Sequence, residues 1–248
     1  MATGQSDVLS PVHGPPERWA SIRRWAQVGL TAQVIFVASW LVAASWQGPR
    51  YRVLAHSISE MYAVTAPHPL FLLIVITLCG AATIVFTLRS VWPALRSGGW
   101  AATVGSILLT LSVAGLGDLL TPFERVACRM ADPGCTTTRM ISNSGGTLDN
   151  TMTSIGLLVL VLAGFFLAHA MRRVPGWQSW AWPARGTGIL FLALGAADVL
   201  APSLSGLFER LLAAAAAAGI AALAVGILRR SRHAGGPGAG HQVKTADL

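Results

Sequence analysis

The sequence predicts an all-α, polytopic membrane protein: a bundle of six transmembrane helices with repeated helical hairpins and both termini in the cytoplasm. Of its 248 residues, 53% are hydrophobic and only 11% are charged, whereas soluble domains carry about a quarter charged residues. Six apolar runs are long enough to cross the ~30 Å hydrocarbon core of a bilayer. One short motif also ends two of these runs, which indicates a duplicated unit.

The positions of the apolar runs divide the chain into three regions. Residues 1–18 are rich in proline and poor in apolar residues, which predicts a disordered cytoplasmic tail. Residues 19–228 form the six-helix transmembrane domain, and residues 229–248 form a flexible tail that is first basic and then glycine-rich. We expect the spans at about residues 25–46, 69–88, 99–119, 151–171, 184–201 and 207–228.

Charged residues predict the orientation in the plasma membrane. With the N-terminus inside, twelve basic residues lie on the cytoplasmic side: Arg18, Arg23, Arg24, Arg89, Arg96, Arg172, Arg173, Arg185, Arg229, Arg230, Arg232 and Lys244. Six lie outside: Arg50, Arg52, Arg125, Arg129, Arg139 and Arg210. This excess of basic residues inside is the usual sign of orientation. The acids fall at the outer helix ends: Glu60, Asp118, Glu124, Asp132, Asp149, Asp198 and Glu209.

The duplicated motif is GxxDhLxP, where h is apolar, at residues 115–122 and 195–202, and each copy is followed by a Phe-Glu-Arg triplet. The motif puts Asp118 and Asp198 in the last turn of a helix, where the macrodipole favours cations. Each proline also lacks the N–H that would bond to the aspartate's carbonyl. Two interpretations stay open: the acids pair with arginines among the lipid head groups, or they line one buried polar site.

The stretch from His56 to Tyr62 follows the first span. Ser57 and Glu60 have the spacing of a capping box, so a short helix should begin there and end before Pro67. His56 and Glu60 would lie about one turn apart. They are either parts of a well-capped interfacial helix, or they face inward above Asp118 and Asp198 as a proton-transfer pair or as ligands of a polar head group.

The long connection between residues 120 and 150 contains Cys128 and Cys135, which we expect to form a disulfide in an oxidising compartment. No histidine lies in this loop, so no metal site is expected there. Asp149 and Asn150 should open the fourth helix, with Asp149 as an N-cap or first-turn residue.

With its His-Ser-Ile-Ser-Glu stretch after the first span, the six-helix plan resembles bacterial integral-membrane families of unknown function, loosely DRAM/Sfk-like. The resemblance covers about residues 25–228, and its one local motif is residues 56–62. It implies the topology and gives almost nothing on activity.

Two classes of function fit these features. The first is a non-enzymatic binder, accessory, transport or immunity component that handles a lipid or amphiphile at the outer face. The second is an intramembrane acid/base enzyme, cyclase- or transferase-like, acting on a lipid or isoprenoid through buried carboxylates. Its candidate catalytic residues are Asp118, Asp198, His56 and Glu60. We expect membrane lipids as partners and no nucleic acid, cofactor or metal, and the sequence indicates no oligomeric state.

Overall fold

A computed structural model describes residues 16–234, and within this range the chain is helical without strands. Its six long helices are α1 (Pro16–Ala43), α2 (Pro69–Phe86), α3 (Trp100–Leu111), α4 (Ser144–Arg173), α5 (Ala181–Leu200) and α6 (Ser205–Ala234). The terminal tails expected at residues 1–18 and 229–248 fall largely outside the described range. Where they overlap it, α1 already begins at Pro16 and α6 continues to Ala234.

Within residues 16–234, five helices are long and apolar enough to cross a membrane by length and composition. They correspond to five of the expected spans. The helix of α2 continues beyond the expected end through a π-helical turn (Thr87–Val91) and two short helical turns as far as Gly98. The remaining candidate is a bent pair of segments, Trp100–Leu111 and Val113–Phe123, which meet at 40°.

The segment expected as a span at residues 99–119 is therefore not one continuous helix, because the chain breaks at Ser112. This residue is extended (φ −69°, ψ 172°), and its side chain donates a hydrogen bond to the carbonyl of Leu109 at 2.8 Å. A π-helical turn, Val113–Gly117, follows and leads into a short helix, Asp118–Leu120. We call residues 112–123 the broken segment. Broken helices at membrane depth occur where they line a cavity or pack inside the protein.

Two glycines allow neighbouring helices to approach the broken segment. A Cβ atom on Gly80 of α2 would collide with the backbone at Asp118 and Leu119. A Cβ on Gly156 of α4 would lie 2.8 Å from the backbone nitrogen of Val113. Glycine at these positions thus fixes the broken segment between α2 and α4, and with it the position of Asp118.

The helices pack as a closed ring. α1 lies against α2 and α6, α4 lies against α3 and α5, and α5 lies against α6. The broken segment contacts both α2 and α4 and so completes the ring. Large apolar side chains such as Val199 (79% exposed) and Leu200 (83% exposed) point away from the ring, as expected of surfaces that face lipid.

Three connections lie together at one end of the ring: residues 44–68, 120–143 and 201–204. We call this the acidic end and the opposite one the basic end, and we call residues 47–68 the first loop. The expected capping box is confirmed, because the Glu60 N–H donates to Ser57 Oγ at 3.2 Å and the Ser57 N–H donates to Glu60 Oε1 at 3.1 Å. It leads into a short 3₁₀ helix, Ser59–Tyr62. Cys128 and Cys135 form the expected disulfide, with Cα atoms 6.1 Å apart.

Candidate functional site

A cavity of about 150 Å³ lies inside the ring at the acidic end. Carboxyl groups from five separate positions line it. Two come from the broken segment and the residue that follows it. The other three come from the second turn of α4, the last turn of α5 and the first turns of α6. These residues are Asp118, Glu124, Asp149, Asp198 and Glu209.

The rest of the lining is mostly apolar. Ile58 and Tyr62 of the first loop cover the cavity, and the helices contribute apolar side chains that include Phe36, Ile76, Leu157 and Leu212. Among the described residues, no lysine, arginine or histidine belongs to the lining. Carboxylates gathered in an apolar space without a cation repel one another and lose hydration. The cavity is therefore suited to a group that carries positive charge or donates hydrogen bonds.

Glu124 has the least satisfied side chain in this lining. It is only 5% exposed, and its Oε1 has no hydrogen-bond partner among the described residues. Burial, followed by the nearby charges of Asp149 and Asp118, raises the pKa of Glu124 from its ordinary value of 4.5 to about 8. At neutral pH this carboxyl is therefore mainly protonated.

Two of the other acids are bound to the first loop. The Tyr62 hydroxyl donates to Asp149 Oδ1 at 3.3 Å, and the N–H of Ile58 donates to Glu209 Oε2 at 2.9 Å. Burial and the neighbouring acids raise the pKa of Tyr62 well above its ordinary value, so the phenol stays protonated and donates. Each of these acids keeps a second oxygen for other contacts.

The two Phe-Glu-Arg triplets serve parallel roles. In both, the glutamate (Glu124 or Glu209) lines the cavity. In both, the arginine donates to backbone carbonyls of the first loop. Arg125 bonds to the carbonyls of Tyr62 and Ala63 at 3.1 and 3.0 Å, and Arg210 bonds to those of Val53 and His56, each at 2.7 Å. Arg210 also donates to the Tyr51 hydroxyl. The two copies of the motif and their triplets thus supply four acids that line the cavity. They also supply two arginines that hold the first loop over it.

Asp118 and Asp198, the two acids of the repeated motif, both lie in the lining of this cavity. Within residues 16–234 neither forms a salt bridge, and the ion pair found there joins Arg129 to Asp132 at 2.6 Å. The Asp198 Oδ1 atom is buried without a partner. The expectation of a free carbonyl at Asp118 is wrong, because the Thr121 hydroxyl donates to it at 2.8 Å.

His56 and Glu60 are not among the lining residues. His56 Nδ1 accepts the backbone N–H of Arg52 at 2.8 Å. Glu60 is 2% exposed, and its second oxygen, Oε2, accepts the N–H of Met130 at 2.7 Å. This bond connects the first loop to the disulfide loop. The structure therefore places the pair within the cover of the cavity, where its polar atoms bind the backbone.

Three lining acids were not singled out from the sequence: Glu124, Asp149 and Glu209. The available signal was that all the acids fall at one set of helix ends. The expectation that Asp149 opens α4 is wrong, because the helix begins at Ser144 and Asn143 is its N-cap, accepting the N–H of Gly146 at 2.8 Å. Gly145 and Gly146 are helical, and the helix therefore starts early enough to turn Asp149 into the cavity.

Among the described residues, no group of three or more histidine, cysteine, aspartate or glutamate side chains has the arrangement needed to hold a metal ion. Comparisons with protein-family models, with curated proteins and with solved structures gave no match to this chain.

Proposed function

We propose that the chain is a multi-pass protein of the plasma membrane with six spans and both termini in the cytoplasm. Five long apolar helices and the bent pair of segments support six crossings. The division of basic residues, twelve at the basic end and its tails against six at the acidic end, supports the orientation. In this arrangement the acidic end faces the outside.

We further propose that the protein binds a lipid or other amphiphile at the outer face, through a head group that is cationic. One observation carries this proposal: five carboxyl groups line one cavity whose described lining has no basic side chain, and one oxygen of the buried Glu124 lacks a partner. A cationic head that donates hydrogen bonds would satisfy these oxygens and offset their repulsion. An amine head group has both properties.

The apolar part of the lining favours an amphiphile over a small inorganic cation. Ile58, Ile76 and Leu157 offer no ligand atoms, and the described acids do not converge in a metal-binding arrangement. Hard metal cations need several oxygen ligands at short range. An organic cation needs only two or three hydrogen-bond acceptors and gains from apolar contact with its methylene groups.

Binding of dodecylamine to the full-length protein in lipid nanodiscs tests this function. At pH 8.5, above the pKa of Glu124, calorimetry should detect saturable binding, and Glu124→Gln should weaken it about ten- to a hundredfold. The control Asp132→Asn removes an acid from the same end but outside the cavity. Equal affinity in wild type and Glu124→Gln, or no saturable binding to wild type, would contradict the proposal.

A second candidate is an acid/base enzyme acting on a lipid or isoprenoid. The observation that favours it is the buried Glu124 beside an apolar space, where burial raises its pKa to about 8. Such an acid can protonate a carbon–carbon double bond, and the resulting cation then loses a proton from a neighbouring carbon to the Glu124 carboxylate. Protonation in D₂O would introduce solvent deuterium into the lipid. Mass spectrometry of isoprenoid lipids incubated with the protein should then show a deuterium label that Glu124→Gln abolishes, and an unlabelled lipid would exclude this candidate.

A further inference from the structure

A second cavity, of about 90 Å³, lies further toward the basic end than the acidic one. Its walls are α4, α5 and α6, with Leu109 of α3 closing one side. Ala216 lines both cavities. One face of α6 therefore passes from Glu209 in the acidic cavity, through Ala216, to Leu223 in the second.

The neighbouring helices α4 and α5 also contribute residues to both cavities. On α4, Leu157 lines the acidic cavity and Leu160 lines the second, less than one turn further on. On α5, Asp198 lines the first and Phe191 lines the second. At ~1.5 Å rise per residue, the face of α6 from Glu209 to Leu223 is about 21 Å long. This length is that of a hydrocarbon chain and not of a head group alone.

The second cavity is chemically suited to hydrocarbon. Thr187 and Trp180 are the only described lining residues with a side-chain nitrogen or oxygen. The Thr187 hydroxyl already donates to the carbonyl of Pro183 at 2.9 Å. A cavity with so few free polar partners does not hold ordered water, and cavities of this kind bind apolar ligands.

Small residues create this space. Gly164, Gly188 and Gly219 lie in the lining, where larger side chains would fill it. α5 is also the helix least covered by its neighbours. In its apolar stretch 11% of the residues are buried, against 33–44% in the other long candidate spans. We therefore expect an alkyl chain to enter the cavity from the bilayer beside α5.

We infer that the two cavities form one binding site for a single-chain cationic amphiphile, with its ammonium head among the carboxyl groups and its alkyl chain between α4, α5 and α6. This inference rests on the proposed function and adds the chemical class of the ligand. Because lipid is as apolar as the cavity, chain burial alone adds little affinity inside a membrane. The position of the chain is therefore the property to measure.

The experiment uses a primary alkylamine with a diazirine at the far end of a dodecyl chain, added to the full-length protein in nanodiscs. After illumination, mass spectrometry locates the attached tail. The inference predicts saturable labelling of α5 or α6 near Gly188 and Ile220, suppressed by excess dodecylamine. Labelling confined to outward-facing residues such as Leu190 and Val199 would overturn it.

A matched pair of variants tests the space itself. Gly219→Leu fills the apolar cavity, since the nearest atom to its Cβ is a methyl of Thr187 at 3.4 Å. Gly186→Leu makes the same change where a Cβ meets nothing within 4 Å. Tail labelling should fall at least about fivefold in Gly219→Leu and stay unchanged in Gly186→Leu. Equal labelling in both would overturn the inference.

Two further measurements separate the inference from the function on which it rests. Butylamine, which has the head without the long chain, should bind both glycine variants as it binds wild type. Saturable amine binding that depends on Glu124, together with tail labels outside the cavity, would overturn only the chain site. Absence of any saturable amine binding would overturn both. Should Gly219→Leu fail to fold, labelling of the unaltered protein still decides the question.

Discussion

Tyr62 donates its hydroxyl hydrogen bond to Oδ1 of Asp149 at 3.3 Å, and both side chains line the acidic cavity. The bond connects the short 3₁₀ helix of the first loop to the second turn of α4. Because Tyr62 is only 7% exposed, no bulk water replaces this donor when it is lost. The contact therefore both closes the cavity and orients one of its acids.

The first prediction is an energetic coupling between Tyr62 and Asp149. Tyr62→Phe leaves a buried acceptor without its donor, which should lower the free energy of unfolding by about 1 kcal/mol or more. Asp149→Ala removes the acceptor and should also destabilise, but the double variant should cost less than the sum of the two, since both changes remove the same bond. Unfolding in detergent measures all four proteins. Strict additivity would show that the bond contributes nothing.

The second prediction concerns Arg210, which is 6% exposed and whose Nη1 donates to three carbonyls. A lysine cannot reproduce the planar fork that reaches both these carbonyls and Tyr51. Arg210→Lys should therefore lower the free energy of unfolding by about 2 kcal/mol. The control is Arg139→Lys, at an exposed position whose hydrogen bond to Gly134 is long, at 3.4 Å. A similar melting temperature for both variants would contradict this role.

Much of the fold follows from local sequence signals. Hydrophobicity alone places the long helices because each apolar run must bury its backbone polar groups in a helix inside lipid. The capping box at Ser57 and Glu60 is equally local, since its two hydrogen bonds join residues three positions apart. The disulfide is local as well, because Cys128 and Cys135 are separated by seven positions.

The break at Ser112 could not be predicted in this way. Residues 99–119 are mostly apolar and contain no proline, and their serine, threonine and glycine residues do not by themselves distinguish a straight helix from a bent one. What decides is tertiary packing: the backbone of Val113 lies against Gly156 of α4, and that of Asp118 lies against Gly80 of α2. In the cavity, by contrast, the repeated motif was enough to indicate Asp118 and Asp198. The convergence of Glu124, Asp149 and Glu209 depends on how helices distant in sequence meet.

A third prediction tests the orientation in the membrane. If both termini are cytoplasmic, a reporter fused after Leu248 should be active only in its cytoplasmic form. A second fusion within the disulfide loop, after Gly134, should give the opposite result and serves as the control. Extracytoplasmic activity of the reporter at Leu248 would contradict the proposed orientation, and the acidic cavity would then face the cytoplasm.

The fourth prediction is a pH dependence that Glu124 causes. Its pKa of about 8 in the folded protein lies above the ordinary value of 4.5, so the folded state holds a proton there that the unfolded chain releases. Stability from this group is therefore present at low pH and is lost as pH rises from 4.5 to 8. The melting temperature of wild type should fall more steeply over this window than that of Glu124→Gln.

Binding of a primary amine should follow the opposite trend. The amine stays protonated to about pH 10, whereas Glu124 gains its charge near pH 8 and attracts the ammonium group. Dodecylamine affinity should therefore rise between pH 6 and pH 9 in wild type. Asp118 and Asp149 also line the cavity and act on Glu124 by their charge, so the difference between wild type and Glu124→Gln isolates the share of Glu124. Parallel pH profiles for the two proteins would contradict the assignment.

The last prediction concerns Asp118 and Asp198, the acids of the repeated motif. Both line the acidic cavity, and neither forms a salt bridge within the described residues. Asparagine keeps the shape of each side chain and removes its charge. If both acids hold the ammonium head, each single variant should fold normally and lose about tenfold in dodecylamine affinity. The double variant should lose less than the product of the two effects, because both acids serve one site.

A different result is expected for the same variants if Asp118 and Asp198 do not hold the ammonium head. If the two aspartates only face the lipid head groups, their replacement should lower the free energy of unfolding by less than about 1 kcal/mol and leave amine binding unchanged. Acids that only support the bundle would lower the melting temperature in each single variant, which circular dichroism in detergent measures beside the binding. Asp132→Asn, which removes an acid outside the cavity together with its ion pair to Arg129, gives the binding baseline for the loss of an acid that does not line the cavity. Unchanged dodecylamine affinity in the folded double variant would remove both aspartates from the site, whereas reduced affinity with an unchanged melting temperature is the outcome that the cavity predicts.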